Sequence, residues 1–225
     1  WKINIGTSYS TNKDNIWGSV ENMQNKEVII PELQYKNFHL EAPGKYFNAK
    51  MVIDKRLMGI SVLRFGSEYN YSNERSFFTL YNGQQFSNSI VEHLKAAFAE
   101  TDIYITNDLA AKLGGRLESS SLLHKTNIAP RVSLAYKTGK QSQASLAYGI
   151  FYQDPEKKYL PSPYLLTFSK ATHYIAQYQK VTGKTTLRME AFYKKYNDLL
   201  KTAEINPAQQ VAINNKGFGD AKGIE

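Results

Sequence analysis

Large apolar side chains recur at every second position over stretches of about ten residues, the pattern of strands with one oily and one wet face. From Arg131, the odd positions Arg131, Ser133, Ala135 and Lys137 are polar or small, while Val132, Leu134 and Tyr136 are large and apolar. After the polar turn Thr138-Gly139-Lys140-Gln141, the residues Ala144, Leu146, Tyr148, Ile150 and Tyr152 share one face, and Ser145, Ala147, Gly149 and Gln153 the other. The pair reads as a β-hairpin. A second hairpin turns at Val181-Thr182-Gly183-Lys184 and sets Leu187, Met189, Ala191 and Tyr193 against Arg188, Glu190, Phe192 and Lys194. Earlier segments repeat the plan. Phe47, Ala49, Met51 and Ile53 oppose Asn48, Lys50 and Asp54; Leu63, Phe65, Tyr69 and Tyr71 oppose Arg64, Gly66, Glu68 and Asn70. Ala97, Ala99, Thr101, Ile103 and Ile105 oppose Glu100 and Asp102, and beyond Thr106-Asn107-Asp108 the residues Leu109, Ala111, Leu113 and Leu117 oppose Lys112, Arg116 and Glu118.

About ten such segments are expected, each of roughly the 9 to 11 residues that a tilted membrane-spanning strand needs. Short turns at 57–59, 106–108, 138–141 and 181–184 alternate with longer polar links at 10–45, 72–92, 154–170 and 198–214, and a shorter one at 119–128. Tight turns on one side and long loops on the other mark outer-membrane barrels. Two stretches read differently. Ile90, Leu94 and Ala97 fall at helical spacing, which allows a short amphipathic helix over 89–98, and the periodicity leaves 28–40 undecided.

Composition narrows the picture. Tyr 16 and Phe 11 are spread along 225 residues, yet mean hydropathy is only −0.48. No window approaches the roughly 18 to 20 apolar residues of a spanning helix, so a membrane role requires strands, whose polar face hides their hydrophobicity. Cysteine is absent, which removes thiolate ligands, disulfides and cysteine nucleophiles. Net charge is +8, but Lys and Arg are scattered singly and form no basic stripe, so nucleic acid is not an expected partner. The four histidines, His39, His93, His124 and His173, show no ligand spacing, so no metal site or cofactor is expected. The opening Trp1-Lys2-Ile3-Asn4-Ile5 alternates like a strand and carries no signal-peptide features.

Several segments resemble the wall strands of TonB-dependent receptors, especially those of Bacteroidetes. The first is Asn127-Ile128-Ala129-Pro130-Arg131-Val132-Ser133-Leu134-Ala135-Tyr136-Lys137 before its tight turn. Another is Phe98-Ala99-Glu100 followed by Thr106 through Glu118; a third is the closing Asn214-Asn215-Lys216-Gly217-Phe218-Gly219-Asp220-Ala221-Lys222-Gly223-Ile224-Glu225. The resemblance implies a plugged outer-membrane barrel importing an iron chelate, glycan, peptide or vitamin, driven by TonB through the plug. Residues 1–225 are then expected to be part of one barrel domain, with the plug and the C-terminal strands outside them. Transporters of this kind have about 22 strands. The expected fold is thus all-β, an antiparallel transmembrane wall forming part of a larger up-and-down barrel in the bacterial outer membrane. Its expected partners are outer-membrane lipid, its own plug and remaining strands, TonB, and a surface lipoprotein.

The polar-face ions Arg64, Glu68, Glu100, Asp102, Arg116, Glu118, Arg188 and Glu190 are candidates for lining a substrate path or meeting the plug, or for pairing across strands, where opposite charges contribute up to about 1 kcal/mol. Tyr69, Tyr71, Tyr148, Tyr152, Tyr193 and Tyr196 fit interfacial aromatic girdles. The loop aromatics Phe77, Phe78, Tyr81, Tyr159, Tyr164 and Phe168 are candidate ligand contacts. No catalytic residues are expected. The rival functions are a complete ten-stranded outer-membrane protease or lipase built around His93 or His173, a soluble all-β module, and a non-transporting scaffold.

Overall fold

A computed structural model of the chain describes residues 1–57, 61–157, 166–204 and 211–225. Ten strands follow in order: β1 (Lys2–Gly18), β2 (Phe38–Arg56), β3 (Val62–Leu80), β4 (Gln85–Tyr104), β5 (Leu109–Ser120), β6 (Lys125–Gly139), β7 (Ser142–Gln153), β8 (Ser169–Thr182), β9 (Thr185–Glu204) and β10 (Val211–Ile224). They form one sheet in which every strand lies beside its sequence neighbours, with β1 and β10 as its open edges. Among the described residues there is no α-helix, only a 3-10 turn at Gln34–Lys36. The helical spacing of Ile90, Leu94 and Ala97 is overridden: all three lie on β4, hydrogen-bonded along a continuous ladder that an isolated helical turn could not supply.

Register turns the alternation into two faces. Leu113 pairs with Val132, Val132 with Tyr148, Tyr148 with Tyr174, and Tyr174 with Tyr193. One row earlier, Ala111, Leu134, Leu146, Ala176 and Ala191 follow each other across the same strands. Apart from Ala111, which is buried, these side chains are left uncovered: Leu134 is 42% exposed, Leu146 60% and Tyr174 48%. A soluble protein rarely shows so continuous an apolar surface, whereas a bilayer requires one. Tyr148, Tyr174 and Tyr193 follow one another on this face, the first two rings tilted with centroids 5.3 Å apart and the second pair stacked at 6.1 Å. Tyr196, expected among them, pairs with Ala171 and therefore has the parity of Lys194, on the opposite face.

The connections also differ from their expected form. On one side, two residues join β6 to β7 and β8 to β9, and Ile105 and Thr106 donate to the Leu109 carbonyl at 2.9 and 3.1 Å between β4 and β5. On the other side, the expected links at 72–92 and 198–214 are largely strand, whereas 154–170 is strand only at its end, from Ser169. β3 continues to Leu80 and β4 begins at Gln85, so four residues suffice where a loop over 72–92 was expected. That turn is Tyr81-Asn82-Gly83-Gln84, with Gly83 at φ 79, Gly83 donating to the Leu80 carbonyl at 2.9 Å, and Asn82 Oδ1 accepting from the Gln84 amide at 3.0 Å. An Asn-Gly pair tolerates the positive φ that reverses a hairpin. The β2, β3, β4 and β9 strands reach 19 or 20 residues, about twice a bilayer span.

The chain forms two compact units. One comprises Trp1–Ile5, Lys50–Glu68 and Leu94–Glu225; the other comprises Gly6–Ala49 and Tyr69–His93. In the second, Asn37 holds the β1–β2 connection: its Oδ1 accepts from the Val20 amide at 2.9 Å and its Nδ2 donates to Glu27 Oε1 and the Val28 carbonyl, both at 3.1 Å. Phe47, Tyr69, Tyr71 and His93 cluster there as well, and the Tyr69 hydroxyl shares a 2.7 Å hydrogen bond with His93 Nδ1. In the first unit, a small apolar core of Leu123, Leu166 and Phe168 gathers Leu122, Tyr152, Leu200 and Ile213 around it. Asn215 fastens its margin, donating to the Thr167 and Asp198 carbonyls at 3.0 and 2.8 Å and accepting from the Thr167 amide at 2.8 Å.

Candidate functional site

The polar face of the first unit carries the chemistry, because alternation delivers every second side chain of β2 to β10 to it. On β2 to β5 it is a lattice of opposite charges. Arg64 bonds Asp54 at 2.7 Å and Glu100 at 3.2 Å; Lys112 reaches Glu100 at 3.3 Å and Asp102 at 3.9 Å. A second chain runs from Lys50 to Glu68 at 3.7 Å, from Glu68 to Arg116 at 3.2 Å, and from Arg116 to Glu118 at 2.7 Å. On β9, Arg188 and Glu190 pair at 2.6 Å. All eight expected polar-face ions are thus engaged with opposite charges, six of them within the two chains. Pairs as exposed as that of Arg188 contribute little individually, typically below about 1 kcal/mol. Arg116, Glu68 and Glu118 are less exposed, their side chains retaining 24%, 19% and 15% of their accessible surface.

Beyond β5 the composition of the same face changes. Gly114 pairs with Arg131, Arg131 with Gly149, Gly149 with His173, and His173 with Lys194, so one hydrogen-bonded row carries three basic residues over β6 to β9. Aromatic rings lie between them. The Arg131 guanidinium sits 4.6 Å from the Phe151 ring centre, the His173 ring lies 4.7 Å from the same ring, and Lys194 Nζ is 4.7 Å from Phe192. The rings occupy space that glycine leaves: a Cβ on Gly149 would meet Phe151 at 3.0 Å, and one on Gly223 would meet Phe192 at 2.8 Å. A concavity of about 540 Å³ opens over this region, bordered by Phe98, Lys112, Arg116, Arg131, Phe151 and His173. Among the described residues no cluster of His, Asp and Glu has the geometry of a metal site.

The expected ligand aromatics do not come together. Phe77 and Phe78 lie on β3, not on a loop, since the strand extends to Leu80. Phe78 stacks on Phe38 with centroids 5.2 Å apart, and Tyr81 belongs to the tight turn that follows. Phe168 is only 4% exposed and forms the small core with Leu123 and Leu166, so it anchors the β7–β8 connection from within. Tyr159 and Tyr164 fall outside the described residues. Sequence reasoning placed Arg131 and Lys194 on the wet face and noted His173 as an isolated histidine. It could not align them, because their neighbourhood arises from the pairing of four strands.

Comparison with known proteins agrees with this architecture. The family described as "TonB dependent receptor-like, beta-barrel" matches residues 1–225. No protein of curated function matches the sequence. Among solved structures, a ferric enterobactin receptor from Pseudomonas aeruginosa superposes with a TM-score of 0.78 at 12% identity, over 99% of this chain and 38% of that one. The siderophore receptor PirA from Acinetobacter baumannii gives 0.69 at 12% identity over 99% of this chain and 39% of that one. FpvAI, in its complex with pyocin S2, gives 0.65 at 13% identity over 99% and 35%. At these identities the likeness is one of fold, and the chain spans well under half the length of each structure. The match over its whole length nevertheless shows the family: this chain belongs to the TonB dependent receptor-like β-barrels.

Proposed function

We propose that this chain is wall from the outer-membrane barrel of a receptor that takes up a ferric siderophore with energy delivered by TonB. The observation that carries the reading is the sheet itself, with an uncovered apolar face of aligned aliphatic and tyrosine side chains backed by an ionic face. Only a sheet with lipid on one side and a polar lumen on the other needs that distribution. The substrate class is suggested by the similar structures, which are described as ferric enterobactin and siderophore receptors. In this reading the remaining strands close the barrel and a plug fills it. The Bacteroidetes affinity suggested by the wall motifs belongs to the same proposal.

The decisive experiment uses the full-length receptor in a Gram-negative strain lacking its own siderophore receptors. Under iron limitation, expression is expected to restore growth on at least one ferric siderophore, and deleting TonB is expected to abolish that growth. Growth restored equally without TonB would contradict active uptake. Rescue by a glycan or vitamin, with none by any iron chelate, would keep the receptor and overturn its substrate class.

A further inference from the structure

The uncovered apolar face is not of even height. Towards the short-turn end of β6 to β10, register sets Ala144 between Tyr136 and Tyr178, and sets Ala176 and Ala191 between Leu146 and Ile224. Three methyl side chains thus floor a groove walled by large ones, a mainly apolar concavity of about 750 Å³. Glu190, at its border, has the opposite parity and is paired with Arg188. The next row towards the turns is polar. Lys180 follows Tyr178 on the same face, pairs with Ser142 and Leu187, and is exposed. Ser142 Oγ accepts from the Thr138 hydroxyl at 2.9 Å. The Val181 amide donates to the Gln141 carbonyl at 2.8 Å, which brings the β6–β7 turn with Lys140 against the end of β8, and Lys184 stands in the β8–β9 turn. Residues 132–153 and 169–189 contain no Asp or Glu. Asp108, the acid of the β4–β5 turn, lies beside Lys137, three strands from Lys180.

We propose that this groove binds one anionic phospholipid of the periplasmic leaflet, with an acyl chain against the alanines and the phosphate at Lys180. Short turns lie on the periplasmic side of an outer-membrane barrel, so the lysine row falls among that leaflet's headgroups and the groove in its hydrocarbon. A cation beside an apolar groove matches a molecule that is charged at one end and apolar over the rest. The small side chains let an acyl chain lie close to the backbone and gain dispersion contacts that an even surface does not give. Tyr136 and Tyr178 flank the passage between groove and lysine row, with phenol rings suited to the headgroup boundary. The Lys180 stem lies along apolar surface while its ammonium reaches the phosphate. Charge complementarity selects the head: three lysines, with no acid in their strand segments, favour a lipid of net negative charge over a zwitterionic one. A dissolved phosphate would leave the groove unfilled. The inference rests on the barrel reading, because only a sheet in a bilayer holds lipid against this face.

The test is native mass spectrometry of the full-length receptor in detergent, titrated with phosphatidylglycerol and with phosphatidylethanolamine of the same acyl chains. Phosphatidylglycerol is expected to bind at least about fivefold more tightly, the contribution of one lysine near a charged lipid surface. Lys140→Gln, Lys180→Gln and Lys184→Gln together are expected to bring the two lipids to parity. Lys170→Gln, on the same face at the other end of β8, is expected to leave the preference unchanged. Ala144→Leu with Ala176→Leu fills the groove and is expected to weaken both lipids. Equal binding of the two lipids by the unaltered receptor, a preference that survives the triple variant, or undiminished binding in the filled groove would each overturn the site. So would a preference abolished by Lys170→Gln, which would put the lipid in the opposite leaflet, or displacement by inorganic phosphate at equal concentration, which would make a bare anion the ligand. Should the triple or the filled variant not fold, the preference of the unaltered receptor and its loss in Lys180→Gln decide. The barrel reading fails separately: it would be sunk by recovery of the folded full-length receptor from buffer without detergent, whereas a membrane-embedded receptor with no lipid preference loses only the site.

Discussion

Arg116 shows how a single residue organises the polar face. It bonds Glu118 on its own strand and Glu68 on β3, so its removal takes a charged partner from two half-buried carboxylates at once, of which Glu68 retains Lys50. Arg116→Leu is expected to destabilise the barrel by about 1–3 kcal/mol, the usual range for loss of hydrogen bonds to charged groups, read from urea unfolding of the full-length receptor in detergent. Arg188→Leu breaks an equally short contact, but its side chain is 61% exposed, and the same assay is expected to register less than about 1 kcal/mol. Asn215 is a different kind of point contact, since its amide makes three hydrogen bonds to backbone at the base of the β7–β8 connection. Asn215→Ala is expected to leave the barrel folded while accelerating proteolytic cleavage between β7 and β8.

At the scale of the strand, the two faces obey opposite rules. Leu134 and Leu146 are direct cross-strand partners on the apolar face. Placing Arg at either position is expected to cost about 2–4 kcal/mol if the site lies near the bilayer midplane, measured as a shift in folding equilibrium in lipid vesicles. The neighbouring Ser133→Arg, on the polar face, is expected to fold normally in the same assay. A one-residue slip of any strand would exchange the faces, which is why register is strongly specified here. The β3–β4 turn is a separate local device. Gly83→Val forces a branched side chain into positive φ and is expected to cost at least about 1 kcal/mol, seen as a lowered unfolding midpoint. The strands were partly legible: their number and faces follow from alternation. Their length was not, because polar residues beyond the apolar band carry no face preference and resemble a loop. Asn82-Gly83 was the signal that would have shortened the 72–92 link to a hairpin.

For the whole molecule, the ten strands in simple sequential order supply a continuous portion of wall. Its two open edges show unpaired backbone groups that a closed barrel would satisfy, and a bilayer tolerates no exposed edge in its hydrocarbon region.

The amino-acid sequence by itself determined the fold class, the approximate strand count and the faces of the alternating segments, though not of Tyr196, because a period of two is a local property that any strand displays without knowing its neighbours. It also carried the family through short wall motifs. Tertiary structure decided which residues on a face become neighbours. Phe168 looks like any loop aromatic until Leu123 and Leu166 are brought around it, and Arg131, His173 and Lys194 are scattered over more than sixty positions until four strands align them. The physical reason is that cross-strand pairing joins residues by register, and register is set by turns, bulges and the burial of whole faces together.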